Sequence, residues 1–282
     1  MSVLTGDLGA PARETRDVSG FSKVVLDGIG HVRVKRGDTE SVTVEAPERL
    51  IGHIDIYVEG EELHLGFRRG VSLHHVGKLD IRFEVSATRL TGVEIDGAGS
   101  IEADRIDGKT GTVEIDGAGN IAVSGLEALD AHLSIDGAGK IVIDSVSAET
   151  SRIEVDGSGR VETRRIQGQE VEVAIDGAGK ILCDHVTCRR LDVRVDGTGK
   201  VTAGGSAEVV RVDLNGTGKA DMLELDAERA SVDIEGTGKV DVAAAKHLEV
   251  SITGFGRVRY RGHPSLDVRR TGFGKVVAAD ES

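Results

Sequence analysis

The chain of 282 residues has no tryptophan, two tyrosines and five phenylalanines, so aromatic side chains make up only 2% of it. A compact globule of this size fills its core with large rings. Without them the interior must be narrow enough for Ile, Val, Leu and Ala to fill. Three prolines and two cysteines exclude a proline-rich spacer and a disulfide-stapled framework, and Cys183 and Cys188 leave the redox compartment open. No window approaches about 18 apolar residues, so no membrane-spanning helix is expected. The opening MSVLTGDLGAPARE has neither a basic n-region nor an apolar h-region. The expectation is therefore a cytoplasmic chain as it stands, or one of the cell envelope or exterior if a signal was removed. The net charge of −13 argues for solubility and against nucleic-acid binding by the chain as a whole, while leaving room for a local basic site.

Glycine is abundant, at 39 residues, and its placement is periodic. The pattern apolar, Asp, Gly, any, Gly, usually basic, aliphatic recurs from Ile95 onward, as in IDGAGSI, IDGAGKI and VDGTGKV. Its leading glycines are Gly97, Gly117, Gly137, Gly157, Gly177, Gly197, Gly216, Gly236, Gly254 and Gly272, stepping by 20 five times, then by 19, 20, 18 and 18. A period near 20 with one turn signature per unit describes a solenoid whose units bury together a face that none could bury alone. Counted from the leading Gly, apolar residues fall at −4 and −2 (Val113 and Ile115), at +4 and +6 (Ile121 and Val123) and at +9 (Leu126). Two strands then flank the Gly-x-Gly corner, and a third short side closes the coil.

Asp-Gly between alternating runs is also a hairpin signal, so a meander is the alternative. Parallel stacking explains why the same residue types recur in register at each corner, whereas a meander does not. The expected fold is all-β, a single-domain parallel β-helix with about 20 residues per coil, right-handed by the crossover rule. Its organisation reads as a loose arm over 1–20, irregular N-terminal coils over 21–96, regular coils over 97–250, and capping coils with a short acidic tail over 251–282. Gly28 and Gly30 carry an earlier corner, 69 residues before Gly97. Filling that gap with the same coil gives about 13 coils and a rod on the order of 60 Å.

FSKVVLDGIGHVRVKRGDTESVTVEAPERLIGHIDIYVEGEELHLGF, the DGAGK-type units and the closing TGFGRVRYRGHPSL together resemble the putative auto-transporter adhesin head GIN domain family over roughly residues 17–277. The markers are the Val-rich opening with KRGD, the repeated Gly-x-Gly corners and the late Arg-Tyr-x-Gly-x-Pro stretch. The resemblance implies a β-helical domain of unknown function, with an adhesin label and export as the family's habit.

Asp96, Asp116, Asp136, Asp156, Asp176 and Asp196 are expected to stack in one column, where neighbouring carboxylates about 4.8 Å apart repel by roughly 0.9 kcal/mol in water. A calcium column is one compensation. The favoured one is structural: each Asp accepts hydrogen bonds from the turn backbone and is balanced by a cation four positions on, such as Lys140, Arg160, Lys180 or Lys200. No cofactor or metal is expected. The GAGK and GTGK strings lack the P-loop's spacing and helix. Cys183 falls at an inward position, and Asp184, His185 and Cys188 lack a second ligand pair at zinc spacing. His74 and His75 sit in an expected loop without an assignable role.

Polar residues that repeat from coil to coil offer no unique pair of acid and base, so no enzyme is expected. The repeat breaks in the last two coils, where the small residue between the glycines becomes Phe255 and then Phe273. Arg257, Arg259, Tyr260, Arg261, His263, Arg269, Arg270 and Lys275 surround them, with Asp267 the one acid between 251 and 275. Residues 91–130 carry nine acids against two bases. One reading is a terminal cap, with Arg270 in place of an inward aliphatic to discourage end-to-end stacking. The other is a docking patch for a second copy or an anionic glycan. The functional expectation is a non-enzymatic structural or adhesion-type protein acting through its surface. The alternatives are an intracellular polymer-forming solenoid and a polysaccharide-active β-helix enzyme.

Overall fold

A computed structural model describes residues 2–4, 8–73 and 79–279; His74, His75 and the tail beyond Ala279 lie outside them. The regular region is built from pairs of eight-residue strands, as in Thr110–Gly117 and Asn120–Glu127, then Asp130–Gly137 and Lys140–Ser147. Each strand pairs in parallel with its counterpart one coil on. Val113 meets Leu133, Ile115 meets Ile135, and Gly117 meets Gly137, while Ile121 meets Ile141 and Leu126 meets Val146. The fold is therefore a parallel β-solenoid and not a meander. It has about 9 turns of roughly 20 residues, fewer than the 13 that filling the Gly28–Gly97 gap suggests.

Alternation sets the inside. Val113, Ile115, Ile121, Val123 and Leu126 are all buried, at the positions that the repeat designates. Between Val123 and Leu126 two successive residues, Ser124 and Gly125, turn outward. The second strand of each coil bends there and supplies the third side.

The corner itself is part of the ladder. The N–H of Ala138 donates to the Gly117 carbonyl at 2.9 Å, and that of Lys140 to the Gly119 carbonyl at 2.9 Å. Gly137 reaches this geometry with φ at +122°, a region that side-chain-bearing residues avoid. A Cβ there would also run into the Gly117 carbonyl oxygen. The 19-residue step is absorbed at the bend, where the pairing with the preceding coil shifts after Cys183 and Gly205 adopts a φ of +112° against the Val186 backbone.

The N-terminal region departs from a simple coil. Lys23–Gly28 stacks directly on Gly92–Gly97, with Gly28 opposite Gly97, and His31–Arg36 pairs in parallel with the strand Ser100–Asp107. The intervening chain adds one more parallel layer, Glu62–Phe67 on Lys23–Gly28 and Arg82–Ala87 on His31–Arg36, and then closes the end with antiparallel strands. Ser41–Pro47 pairs with Arg82–Ala87, and Ile54–Glu59 with Glu62–Phe67. Within the stretch expected as a loose arm over 1–20, Pro11–Arg16 is not loose: it pairs antiparallel with Ser41–Pro47, and Leu8 is buried. A one-turn helix, Glu48–Ile51, buries Leu50 at this end.

Lys23 ties the junction together. Its Nζ lies 2.6 Å from Glu94, 3.2 Å from Glu114 and 3.3 Å from Glu62, on three neighbouring strands. Burial alone would lower the ammonium, but Glu94 and Glu114 outweigh it and hold the group above its ordinary range.

The corner geometry predicts unequal tolerance at adjacent residues. Gly137→Val should cost about 3 kcal/mol or more, from backbone strain and collision together. Ala138→Val, on the exposed tip, should stay within about 0.5 kcal/mol. Denaturant unfolding of both variants checks this, and equal losses would contradict the assigned corner.

Candidate functional site

Strict register turns each outward position into a column running along the solenoid. Three columns meet at the glycine corner. Asp96, Asp116, Asp136, Asp156, Asp176 and Asp196 occupy one, each opposite the next. The small residues between the glycines form the exposed tip. Beyond it runs a column of cations: Lys140, Arg160, Lys180, Lys200, Lys219, Lys239, Arg257 and Lys275.

The aspartates are not the turn caps that the pattern suggests. The corner N–H groups are taken by carbonyls of the adjacent coil. Asp196 accepts a bond from Asn215 Nδ2 at 2.7 Å, while the carboxylates of Asp116, Asp136, Asp156 and Asp176 project to solvent. Nor do the cations four positions on pair with them. Lys140 reaches Glu162 at 3.0 Å and Arg160 meets the same carboxylate; Lys140, then Arg160, hold Glu162 below the usual carboxylate range. The sequence reading misses these partners because they belong to the next column, two residues further along the strand.

In the last coils Phe255 and Phe273 stack on the outer corner, with ring centroids 5.6 Å apart and planes 19° from parallel. They are 65% and 78% exposed. Arg257 and Lys275 sit opposite each other in the adjoining column and are exposed. Here the acidic column has lapsed into Thr253 and Thr271, so in these two coils the positions across the corner from the rings carry no carboxylate.

The other residues expected in this patch do not join it. Arg259 is held by Asp241 at 2.8 Å, and Arg261 bonds Asp226 and the Leu223 carbonyl. Arg269 meets Asp267 and Glu249. Tyr260 takes an inward position opposite Val242 and packs against the core. His263 lies exposed in the link before the strand Ser265–Gly272. The acids that engage Arg259 and Arg261 come from earlier coils, so the local sequence does not reveal them. Cys183 is buried in the lumen, and burial pushes its thiol up to about 11. Among the described residues no helix is long and apolar enough to cross a membrane.

A family profile described as "Putative auto-transporter adhesin, head GIN domain" matches residues 20–183 and 164–264. No curated protein matches the sequence. Among solved structures, a putative adhesin from Parabacteroides distasonis is similar at TM-score 0.59 and 17% identity, covering 99% of this chain and 100% of that one. A putative adhesin from Parabacteroides merdae is similar at TM-score 0.53 and 17% identity, with coverage of 99% and 100%. A protein titled a putative lipid binding protein from Parabacteroides distasonis is similar at TM-score 0.52 and 16% identity, over 99% and 100%. At these identities the likeness is one of fold.

Asp241 joins the cation column at Lys219 to Arg259. It is buried, with Arg259 at 2.8 Å and Lys219 at 3.4 Å. Burial alone would raise its carboxyl, but Arg259 and then Lys219 outweigh it and hold it below the ordinary 3.8. A group depressed by folding contributes fully above its unfolded value and loses that contribution as pH falls below it. Asp241→Asn should therefore cost about 1–3 kcal/mol at pH 7 and less at pH 3. Melting at both pH values checks this, and an undiminished loss at pH 3 would contradict it.

Proposed function

Since the two matches together span most of the chain, it belongs to the putative auto-transporter adhesin head GIN domain family, and from that premise we propose a non-enzymatic adhesion-type protein that acts through its surface at the cell envelope or outside the cell. The observation that carries this reading is the stacked, exposed pair Phe255–Phe273 beside Arg257 and Lys275. Every regular corner before it shows a small residue at the same place, so the exposed aromatic area is local and additional. Contiguous exposed apolar surface rimmed by charge is a hallmark of interaction sites.

The ligand class follows from the rim. Arg257 and Lys275 occupy the exposed column adjoining the two rings, an arrangement that suits a chain alternating apolar sugar faces with carboxylate or sulfate groups. The patch is read as a site for a polyanionic glycan. Repetition of outward polar residues favours this over catalysis, because a repeated column provides no unique acid–base pair. Antiparallel closure of the N-terminal end speaks against an end-to-end polymer of stacked coils.

The full chain should be retained on immobilised dextran sulfate or polygalacturonate and released as salt rises, since exposed charges are screened. Phe255→Ala with Phe273→Ala should leave cooperative unfolding intact, because earlier coils carry Ala or Thr there, and weaken retention at least about tenfold. Retention that is unchanged by the double substitution, or absent in the wild type at low salt, would sink the reading.

A further inference from the structure

The final coil carries a surface distinct from the aromatic corner. The strand Ser265–Gly272 pairs in parallel with His247–Gly254 on one side, and among the described residues no strand pairs with the other. All eight of its residues are exposed. One coil earlier Leu248, Val250 and Ile252 are buried at 0–1%. Their register partners are Leu266, 47% exposed, Val268, 36% exposed, and Arg270. An unpaired edge beside uncovered apolar side chains is the feature that β proteins otherwise suppress.

The backbone limits what can dock. The Ser265 N–H bonds the Lys246 carbonyl at 3.0 Å. Alternation then turns the polar groups of Asp267 and Arg269 toward the preceding coil and those of Leu266, Val268 and Arg270 toward the free edge. A two-fold related copy offers the same strand running antiparallel. Only registers that set these edge-facing residues against one another form a ladder. Centring on Asp267 would place that carboxylate against its own mate, and centring on Arg269 would do the same with two guanidinium groups. Like charges directly opposite are destabilising. Centring on Val268 instead sets Asp267 against Arg269 of the second copy, twice. It also lays the aliphatic stem of Arg270 over Leu266 of the other chain.

We propose that this edge is a self-docking surface: two copies join tail to tail about a two-fold axis at Val268, through antiparallel pairing of Ser265–Gly272 and reciprocal Asp267–Arg269 ion pairs. The existing contacts of Arg269 with Asp267 at 3.3 Å and Glu249 at 3.6 Å are exposed, so exchanging them for the cross-copy pair sacrifices little. The N-terminal end does not compete for this edge, since antiparallel strands and the helix Glu48–Ile51 close it.

Sedimentation of the full chain should show a doubling of mass as concentration rises. Asp267→Arg sets arginines against arginines and should return the monomer. Adding Arg269→Asp exchanges the two charges, restores complementarity and should restore the dimer, which a merely misfolded variant would not do. Independently, Val268→Cys should cross-link rapidly on oxidation, because hydrogen-bonded antiparallel partners lie about 5.5 Å apart at Cα, within disulfide reach. Thr253→Cys, one coil away, should not, and the native Cys183 and Cys188 are buried. A wild type that is monomeric up to its solubility limit overturns the proposal. So does a dimer indifferent to the charge exchange, or a Val268→Cys variant that cross-links no faster than Thr253→Cys.

Discussion

One hydrogen bond, repeated at every coil, fixes the molecule: the N–H of the residue between the two corner glycines donates to the carbonyl of the leading glycine one coil earlier. Ala118, Ala138, Ser158, Ala178 and Thr198 all make it, at 2.8–2.9 Å. In an ordinary tight turn the corner amides bond within the turn or to water. Here the corner continues the sheet, and that demands a backbone with positive φ and no Cβ on the face toward the preceding coil. The second glycine serves packing: a Cβ on Gly139 would press on Ile115 and the Gly119 carbonyl. Once the corner is locked the register has little freedom, and outside the shift after Cys183 the strand side chains of the regular coils sit above their counterparts.

Register then governs the electrostatics. Beside the glycine corner acid stacks on acid and cation on cation, so a charge there finds relief in a neighbouring column, while elsewhere opposite charges stack directly, as Arg152 does on Glu172. Glu162 meets Lys140 and Arg160 across columns, and Asp241 meets Lys219 across columns and Arg259 within its own. Where a column has no opposite neighbour its charges stay in water, as along the aspartate ridge. Repetition gives a surface of continuous stripes, and individuality arises where the repeat fails. At the N-terminal end that failure is Lys23 among three glutamates beneath an antiparallel closure. At the C-terminal end it is the Phe255–Phe273 stack and the open edge beyond it.

Much of this was legible in the sequence because a stacked repeat writes its contacts at a fixed spacing. The period and the positions −4, −2, +4, +6 and +9 identify the lumen residues, including Cys183 in the column of Val123 and Ile143. Direct stacking of Gly28 on Gly97 is not legible, because the chain between them places Glu62–Phe67 and Arg82–Ala87 beyond the first coil and adds antiparallel strands to these, a choice made by tertiary contacts. Tyr260 falls at +6 from Gly254, an inward position, although its sequence neighbours mark it as a surface residue. The pull of its arginine neighbours obscured the same spacing that placed Cys183. Arg259 looks unpaired in the local sequence because Asp241, 18 residues before it, is its neighbour only across the coil-to-coil register.

The account's central claim is that the glycine corners belong to the sheet. Native-state amide hydrogen exchange tests it most directly. The amides of Ala118, Ala138, Ser158 and Ala178, though their side chains stand at the exposed tip, should exchange as slowly as the buried strand amides of Ile115 or Ile135, since each is held between coils. Exchange at the rate of an ordinary surface turn, with protection confined to the strands, would contradict it.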